Sequence, residues 1–330
     1  MPTQTLPPRA SDKSLIDDYM QISIATLVTG KQLNVRLFTR DAGSSAARLY
    51  KSEEVPFEEK DRQKLLSQGK RFLWIRKSEH EAYQSYLREN LSSTLNDESL
   101  PAINRAASLG EVVRDVMSST FKKGETESIV ECSTDLADNC VNLLSREDLM
   151  AGELVGVLHH DYHTFTHSTN VAFYAVMLAK ALGVSDEKEL SEIAIGGFVH
   201  DLGKLDISEA ILTKPGKLDD DEFEIIRDHP RSGFRKLCRR EDMNFGQLMM
   251  VYQHHERIDG RGYPVGAVGD ELHFWAKICT VVDVFEALTS NRPYRKAIPR
   301  SEVEQMMRRD IGKAFDPEIL ECWMSTIKSK

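Results

Sequence analysis

The sequence predicts a two-domain protein: a small α/β (α+β) module near the N-terminus, then an all-helical bundle carrying a metal site. Three observations predict it. At 330 residues the chain is too long for one ordinary core. Short β-type runs interleave with helix signals only up to about residue 91, after which helical spacing dominates. Seven metal-competent side chains, His167, His200, Asp201, His229, His254, His255 and Asp283, all fall in the C-terminal half.

Residues 1–14, rich in Pro and Ser/Thr, predict a disordered tail, and they lack the apolar core of a secretory signal. The module spans 15–91. Leu33–Phe38 (LNVRLF) and Ala47–Tyr50 read as strands, and Phe57–Gln68 as a helix stopped by Gly69. Arg71–Ile75 reads as a strand and Ser78–Arg88 as a helix. The module's histidine, His80, lies on a charged helix, and no catalytic constellation accompanies it. Residues 92–144 read as a linker and leading helices: 92 to about 108 is polar and contains Pro101, and Leu109–Leu144 has helical spacing with polar breaks.

The bundle occupies 145–330. Thr166–Leu182 places Val171, Tyr174, Ala175, Leu178 and Leu182 on one stripe, with Gly183 as the stop. Ser185 or Asp186 caps the next helix, which runs into His200 and Asp201. Asp219–Asp228 is a helix broken by Pro230, Met243–His255 another, and His273–Ser290 a fifth carrying Asp283. Asp316 followed by Pro317 opens a final helix.

A net charge of −9 disfavours a general binder of polymeric nucleic acid, which needs a basic surface. An anionic substrate must then be held by local positive charge from metals or clustered Arg and Lys. Five scattered cysteines without a CxxC pair read as free thiols in a reducing cytosol. No stretch reaches the length of an apolar bilayer span, so a cytoplasmic protein is expected.

The site is assembled from short phrases. VHDLGK ends an apolar helix with His200 and Asp201 adjacent; helical neighbours diverge by about 100°, so both serve one cluster only if the carboxylate bridges two ions. An isolated pair of this kind is more often a buried histidine bonded to a capping aspartate. Lys204, about one turn on, can balance phosphate charge. HHERIDGRGYP offers two histidines for two ions and a tight Asp259–Gly262 turn in which both glycines permit positive φ, stiffened by Tyr263 and Pro264. His163 and His167 lie one turn apart, just after His159 and His160; either these form a broader cluster or only His167 is a ligand. His229 in RDHPRSG is promoted only by this company. Asp283 sits in an apolar helix, where an unpaired carboxylate is costly, and a metal or a nearby arginine would answer it.

Imidazoles and carboxylates without cysteine suit two or more divalent transition metals. Seven side chains with Asp201 bridging supply about eight metal–ligand bonds, against roughly twelve for two six-coordinate ions. The shortfall leaves room for water and substrate oxygens, as a hydrolytic site requires. Arg292 and Arg295 flank Pro293-Tyr294 after the Asp283 helix and could fork onto phosphate; surface arginines are the bland alternative.

VHDLGK, KPGKL (214–218), DHPRSG, HHERIDGRGYP and VVDVFEALTSNRPYR, in this order, resemble the HD-GYP phosphodiesterases of bacterial cyclic di-GMP signalling, over roughly Gly152 to Pro317. The resemblance implies a helical domain on a five-helix HD core with a GYP extension. It also implies a bi- or trinuclear iron or manganese centre and hydrolysis of cyclic di-GMP to the linear dinucleotide pGpG, to GMP, or to both. It assigns the seven residues as metal ligands, Asp201 and Lys204 to catalysis, and Gly262, Tyr263 and Pro264 to the GYP loop. Lys204, Tyr263, Arg292 and Arg295 are implied to face substrate. Trinuclear members carry a glutamate where this chain has His163; that departure favours two ions, with His163, or more weakly Asp161, as the candidate donor for a third. A diguanylate cyclase (GGDEF) partner and a homodimer are further expectations, as is the alternative of a non-catalytic receptor acting through the GYP loop. The N-terminal module is similar to a small domain often found ahead of HD-GYP domains.

Overall fold

The structure is a computed structural model that describes residues 18–40, 47–98, 100–145, 152, 154–155, 164–291 and 295–328. The predicted tail, His159, His160, Asp161, His163 and Arg292 lie outside these residues. The chain divides into two compact units at residues 112/113.

The first unit is an antiparallel four-stranded sheet with helices, hence α+β. Its strands are β1 (Tyr19–Ser23), β2 (Leu37–Thr39), β3 (Arg48–Lys51) and β4 (Phe72–Arg76), in the order β1-β4-β2-β3. The sheet is accompanied by α1 (Glu59–Ser67) and α2 (His80–Asn96). β1 has no counterpart in the sequence reading: one of its five residues is fully buried, so alternation barely shows, and pairing with β4 defines it. α1 ends as expected at Gly69, with φ +71°. Ile22, Leu37, Phe57, Leu73, Ile75 and Tyr83 form the core, where burial of each large apolar side chain contributes roughly 1.5–3 kcal/mol. The Tyr83 and Thr26 hydroxyls bond at 2.5 Å, which removes two buried polar groups from account.

The stretch 92–108 is largely helical: α2 runs to Asn96, and α3 (Ala102–Lys123) follows Pro101. Its polarity misleads because Asn104, Arg105 and Ser108 are buried. Gly124, with φ +71°, separates α3 from α4 (Thr126–Leu144).

The second unit is helical. After α4 its helices are α5 (Thr164–Ala181), α6 (Glu187–Val199), α7 (Glu209–Leu212), α8 (Asp220–Arg227), α9 (His229–Leu237) and α10 (Phe245–Gln253), then α11 (Phe274–Thr289), α12 (Arg300–Arg309) and α13 (Pro317–Thr326). The expected stripe on α5 understates its burial: Ala172, Phe173, Val176 and Ala179 are buried as well, so the helix is enclosed on all sides. Asp186 caps α6 by accepting from the Glu189 N–H at 3.0 Å. Pro230 does more than break a helix. It occupies the first turn of α9, where its missing N–H costs nothing.

Candidate metal centre

Helix ends place most of the ligands. α6 finishes at His200, and the backbone tightens into a 3₁₀ turn over Leu202–Asp206. Asp201 sits at the junction with ψ 12°, so the helical divergence between neighbours is lost. His200 Nε2 and Asp201 Oδ2 consequently lie 3.5 Å apart. His229 opens α9, His254 closes α10, His167 lies in the first turns of α5, and Asp283 is midway along α11. The carboxyl ends of α6 and α10 both meet the site, and their partial negative charge favours a cation. The 3₁₀ turn can pass so near α9 only because residue 203 is glycine: a Cβ there would stand 1.9 Å from the His229 carbonyl oxygen.

All seven expected ligands converge, in two groups. Asp201, His229, His254 and His255 form one; His167, His200 and Asp283 form the other. Asp201 spans them. Its Oδ1 lies 3.2 Å from His229 Nε2 and 3.7 Å from His254 Nε2, whereas Oδ2 faces His167 Nε2 at 3.6 Å. Asp283 spans them too, with Oδ1 3.0 Å from His167 Nε2 and Oδ2 3.9 Å from His255 Nδ1.

Protons are directed away from the centre. His200 Nδ1 donates to the Gly197 carbonyl at 2.7 Å, His229 Nδ1 to Ile226 at 2.6 Å, and His254 Nδ1 to Val251 at 2.9 Å. Each Nε2 therefore turns a lone pair inward, as metal-binding imidazoles do. His200 Nε2 is buried without a hydrogen-bond partner. The Nε2 atoms of His229 and His254 face each other 3.1 Å apart, close enough for one cation to meet both. The residues present thus fit divalent ions.

Titration behaviour agrees. Burial lowers His200 to about 4 and also lowers His229. Burial alone would raise Asp201 and Asp283, but Lys204 and His200 hold Asp201, and His167 holds Asp283, well below the usual carboxylate range. Burial would lower His167, yet Glu286 and Asp283 together raise it to about 9. In the metal-free protein a proton on His167 Nε2 occupies the place that a metal would take.

Lys204 Nζ donates to Asp201 Oδ2 at 2.5 Å. The Tyr263 ring stacks on His255 with centroids 4.7 Å apart, and Arg227 Cζ lies over the Tyr263 ring, 5.1 Å from its centroid. Gly260 has φ +74°, as the turn requires, but Gly262 does not need positive φ. It is glycine because a Cβ would sit 2.4 Å from Glu256 Cα. Glu256 is buried and accepts from the Val265 N–H at 2.7 Å, which closes the loop. Arg295 donates from Nη2 to Ala287 at 2.6 Å and from Nη1 to Leu288 at 3.1 Å, so its fork is engaged with the end of α11. The sequence reading missed Glu286, which bonds His167 Nδ1; its signal was a second acid one turn after Asp283 in the same apolar helix.

Comparison with known proteins identifies a family. The HD domain family matches residues 146–319. The chain is similar to the cyclic di-GMP phosphodiesterase PA4108 of Pseudomonas aeruginosa, 31% identical over 227 residues, 68% of this chain and 54% of that one. It is also similar to the 3'3'-cGAMP-specific phosphodiesterase 3 of Vibrio cholerae, 37% identical over 165 residues, 47% of this chain and 34% of that one. It thus spans about half of the first relative and a third of the second. In fold it is similar to Bd1817, an HDG"Y"P protein of Bdellovibrio bacteriovorus, with TM-score 0.65 and 20% identity over 94% of this chain and 100% of that one. Among the described residues no helix is long and apolar enough to cross a membrane. The chain belongs to the HD domain family, and to the HD-GYP type within it.

Proposed function

We propose that this protein is a metal-dependent phosphodiesterase that hydrolyses cyclic di-GMP to pGpG, GMP or both. The observation that carries the reading is Asp201, whose two oxygens face two separate groups of inward-turned donors. Two divalent ions, iron or manganese, would supply an activated water and neutralise phosphate charge when bound. His167, His200 and Asp283 would hold one, and His229, His254 and His255 the other, with Asp201 shared. A third ion through His163 falls outside the described residues.

The chain's own groups do the rest. Lys204, beside Asp201, offers its ammonium to a non-bridging phosphate oxygen, and His255 is held in place by the stacked Tyr263 ring. Water adds to phosphorus, the bond to the ribose 3' oxygen breaks, and that oxygen leaves with a proton. Arg292 is retained as a phosphate contact; Arg295 acts from the end of α11. The module at 15–91 is proposed as regulatory, ahead of leading helices (92–144) and a catalytic domain (145–330) in a cytoplasmic protein. A homodimer and a diguanylate cyclase partner belong to the same proposal. The Vibrio cholerae relative, named for 3'3'-cGAMP, brings that nucleotide in as a second substrate to be tested.

The test is turnover. Protein loaded anaerobically with Fe(II) or Mn(II) is incubated with cyclic di-GMP, and in parallel with 3'3'-cGAMP, and the products are separated. Cleavage of cyclic di-GMP, abolished by His200→Ala and Asp201→Ala, is expected. Binding without cleavage under both metals would establish the receptor reading instead.

A further inference from the structure

His167 is held differently from the other ligand histidines. His200 and His254 give their outer Nδ1–H to backbone carbonyls of the helices they end, and His229 gives its own to the Ile226 carbonyl near the end of α8, the helix before it. His167 Nδ1 meets a carboxylate oxygen, Glu286 Oε2, from a helix 119 residues away in sequence. Glu286 is 1% exposed and is itself anchored, with Oε1 accepting from Asn170 Nδ2 at 3.1 Å and from Ser290 Oγ at 2.6 Å. A buried carboxylate so firmly held is costly unless it acts on a cation or a polarised donor. Behind a ligating imidazole it does both: it fixes the ring's orientation and makes the inner nitrogen a stronger donor.

The consequence is asymmetric. Glu286 stands behind the His167–His200–Asp283 group, whereas His229 and His254 in the other group have neutral carbonyls in the corresponding place. We propose that Glu286 is a positioning residue for the metal pair, and that it makes the His167–His200–Asp283 position bind a divalent ion more tightly than its neighbour. The inference rests on the metal centre described above and not on the identity of the cyclic dinucleotide.

The experiment is a calorimetric titration of the metal-free 330-residue chain with Mn(II), followed by the Mn(II) resonance signal. Two unequal binding steps are expected. Glu286→Gln, nearly isosteric, should weaken the tighter step by about 10–100-fold and leave the weaker step within a few-fold. Glu286→Asp should recover part of the loss, and Ser290→Ala, which removes only an anchor of the carboxylate, should give a smaller loss at the same step. Two equal steps in the native protein would overturn the proposal. So would a Glu286→Gln protein with both steps unchanged, or with both weakened alike at unaltered thermal stability. If Glu286→Gln does not fold, Ser290→Ala with no change in the tighter step overturns it. The readout needs no turnover, so a protein that binds metal as described but cleaves no cyclic dinucleotide would defeat the enzymatic reading and leave this one standing.

Discussion

At the scale of single residues, the centre works by direction rather than by number of donors. Each imidazole has two nitrogens, and in His200, His229 and His254 the outer one is occupied by a nearby carbonyl, which leaves no choice for the inner one. Lys204 is the residue whose role this sharpens most. Its ammonium lies on the bridging carboxylate at 2.5 Å, within reach of whatever the carboxylate binds. Lys204→Ala is expected to lower kcat on the order of 10²-fold, typical of a lost charge-stabilising donor, with little change in Mn(II) stoichiometry. Steady-state kinetics beside a metal titration checks both halves. The seven residues that converge were legible in the sequence because most stand in phrases with unusual neighbours, and His229 because of the company it keeps. Glu286 was not: an acid on a mostly apolar helix has many explanations, and only the fold shows His167 in front of it. Arg295 carries two readings. Its place in the sequence points to phosphate, while its guanidinium is engaged by the carbonyls of Ala287 and Leu288.

At the scale of elements, the centre depends on a close crossing between the turn after α6 and the start of α9. Gly203 permits it, and the Gly233 amide is the next atom a side chain there would meet, at 2.7 Å. Gly203→Ala must push α9 outward and take His229 with it. The expected result is a loss of about 1–3 kcal/mol in stability, as for other overpacked positions, together with a lower metal content. Denaturant melts and metal analysis of the same preparation measure these. Helix positions with strong caps, such as Asp186 before α6 and Asp316 before α13, were readable because capping is local chemistry. The buried polar stretch through Asn104 and Arg105 was not, since polar residues read locally as a solvated face.

At the scale of the whole molecule, the metal-free protein should be sensitive to acid. His200 is held to about 4 and His229 is also lowered, both by burial. Below about 6.5 the unfolded chain takes up protons that the folded one refuses, so stability falls as pH drops from about 6.5 towards 4. His167 has the opposite sign: raised to about 9, it contributes stability that is complete below about 6.5 and is lost as pH rises through 9. Denaturation of chelator-treated protein across this range should show a maximum between the two limits. Added Mn(II) should raise the plateau by mass action and shift the acid limb downward, since protons and metal compete for the same nitrogens. A flat profile in the metal-free protein would contradict the assigned burial of the histidines.

The short bonds from ring nitrogens to carbonyls three residues back have one more implication. Each of these three histidines is aimed by a carbonyl in the last turn of a helix: its own for His200 and His254, and the preceding α8 for His229. In the link between α9 and α10, Arg240 is tied to Glu127 and Met243 is buried, so length can change only at the exposed Glu241–Asp242 step. Several residues inserted there should leave the spacing of the donors intact, so the interior chemistry can stay constant while the protein's outline is rebuilt.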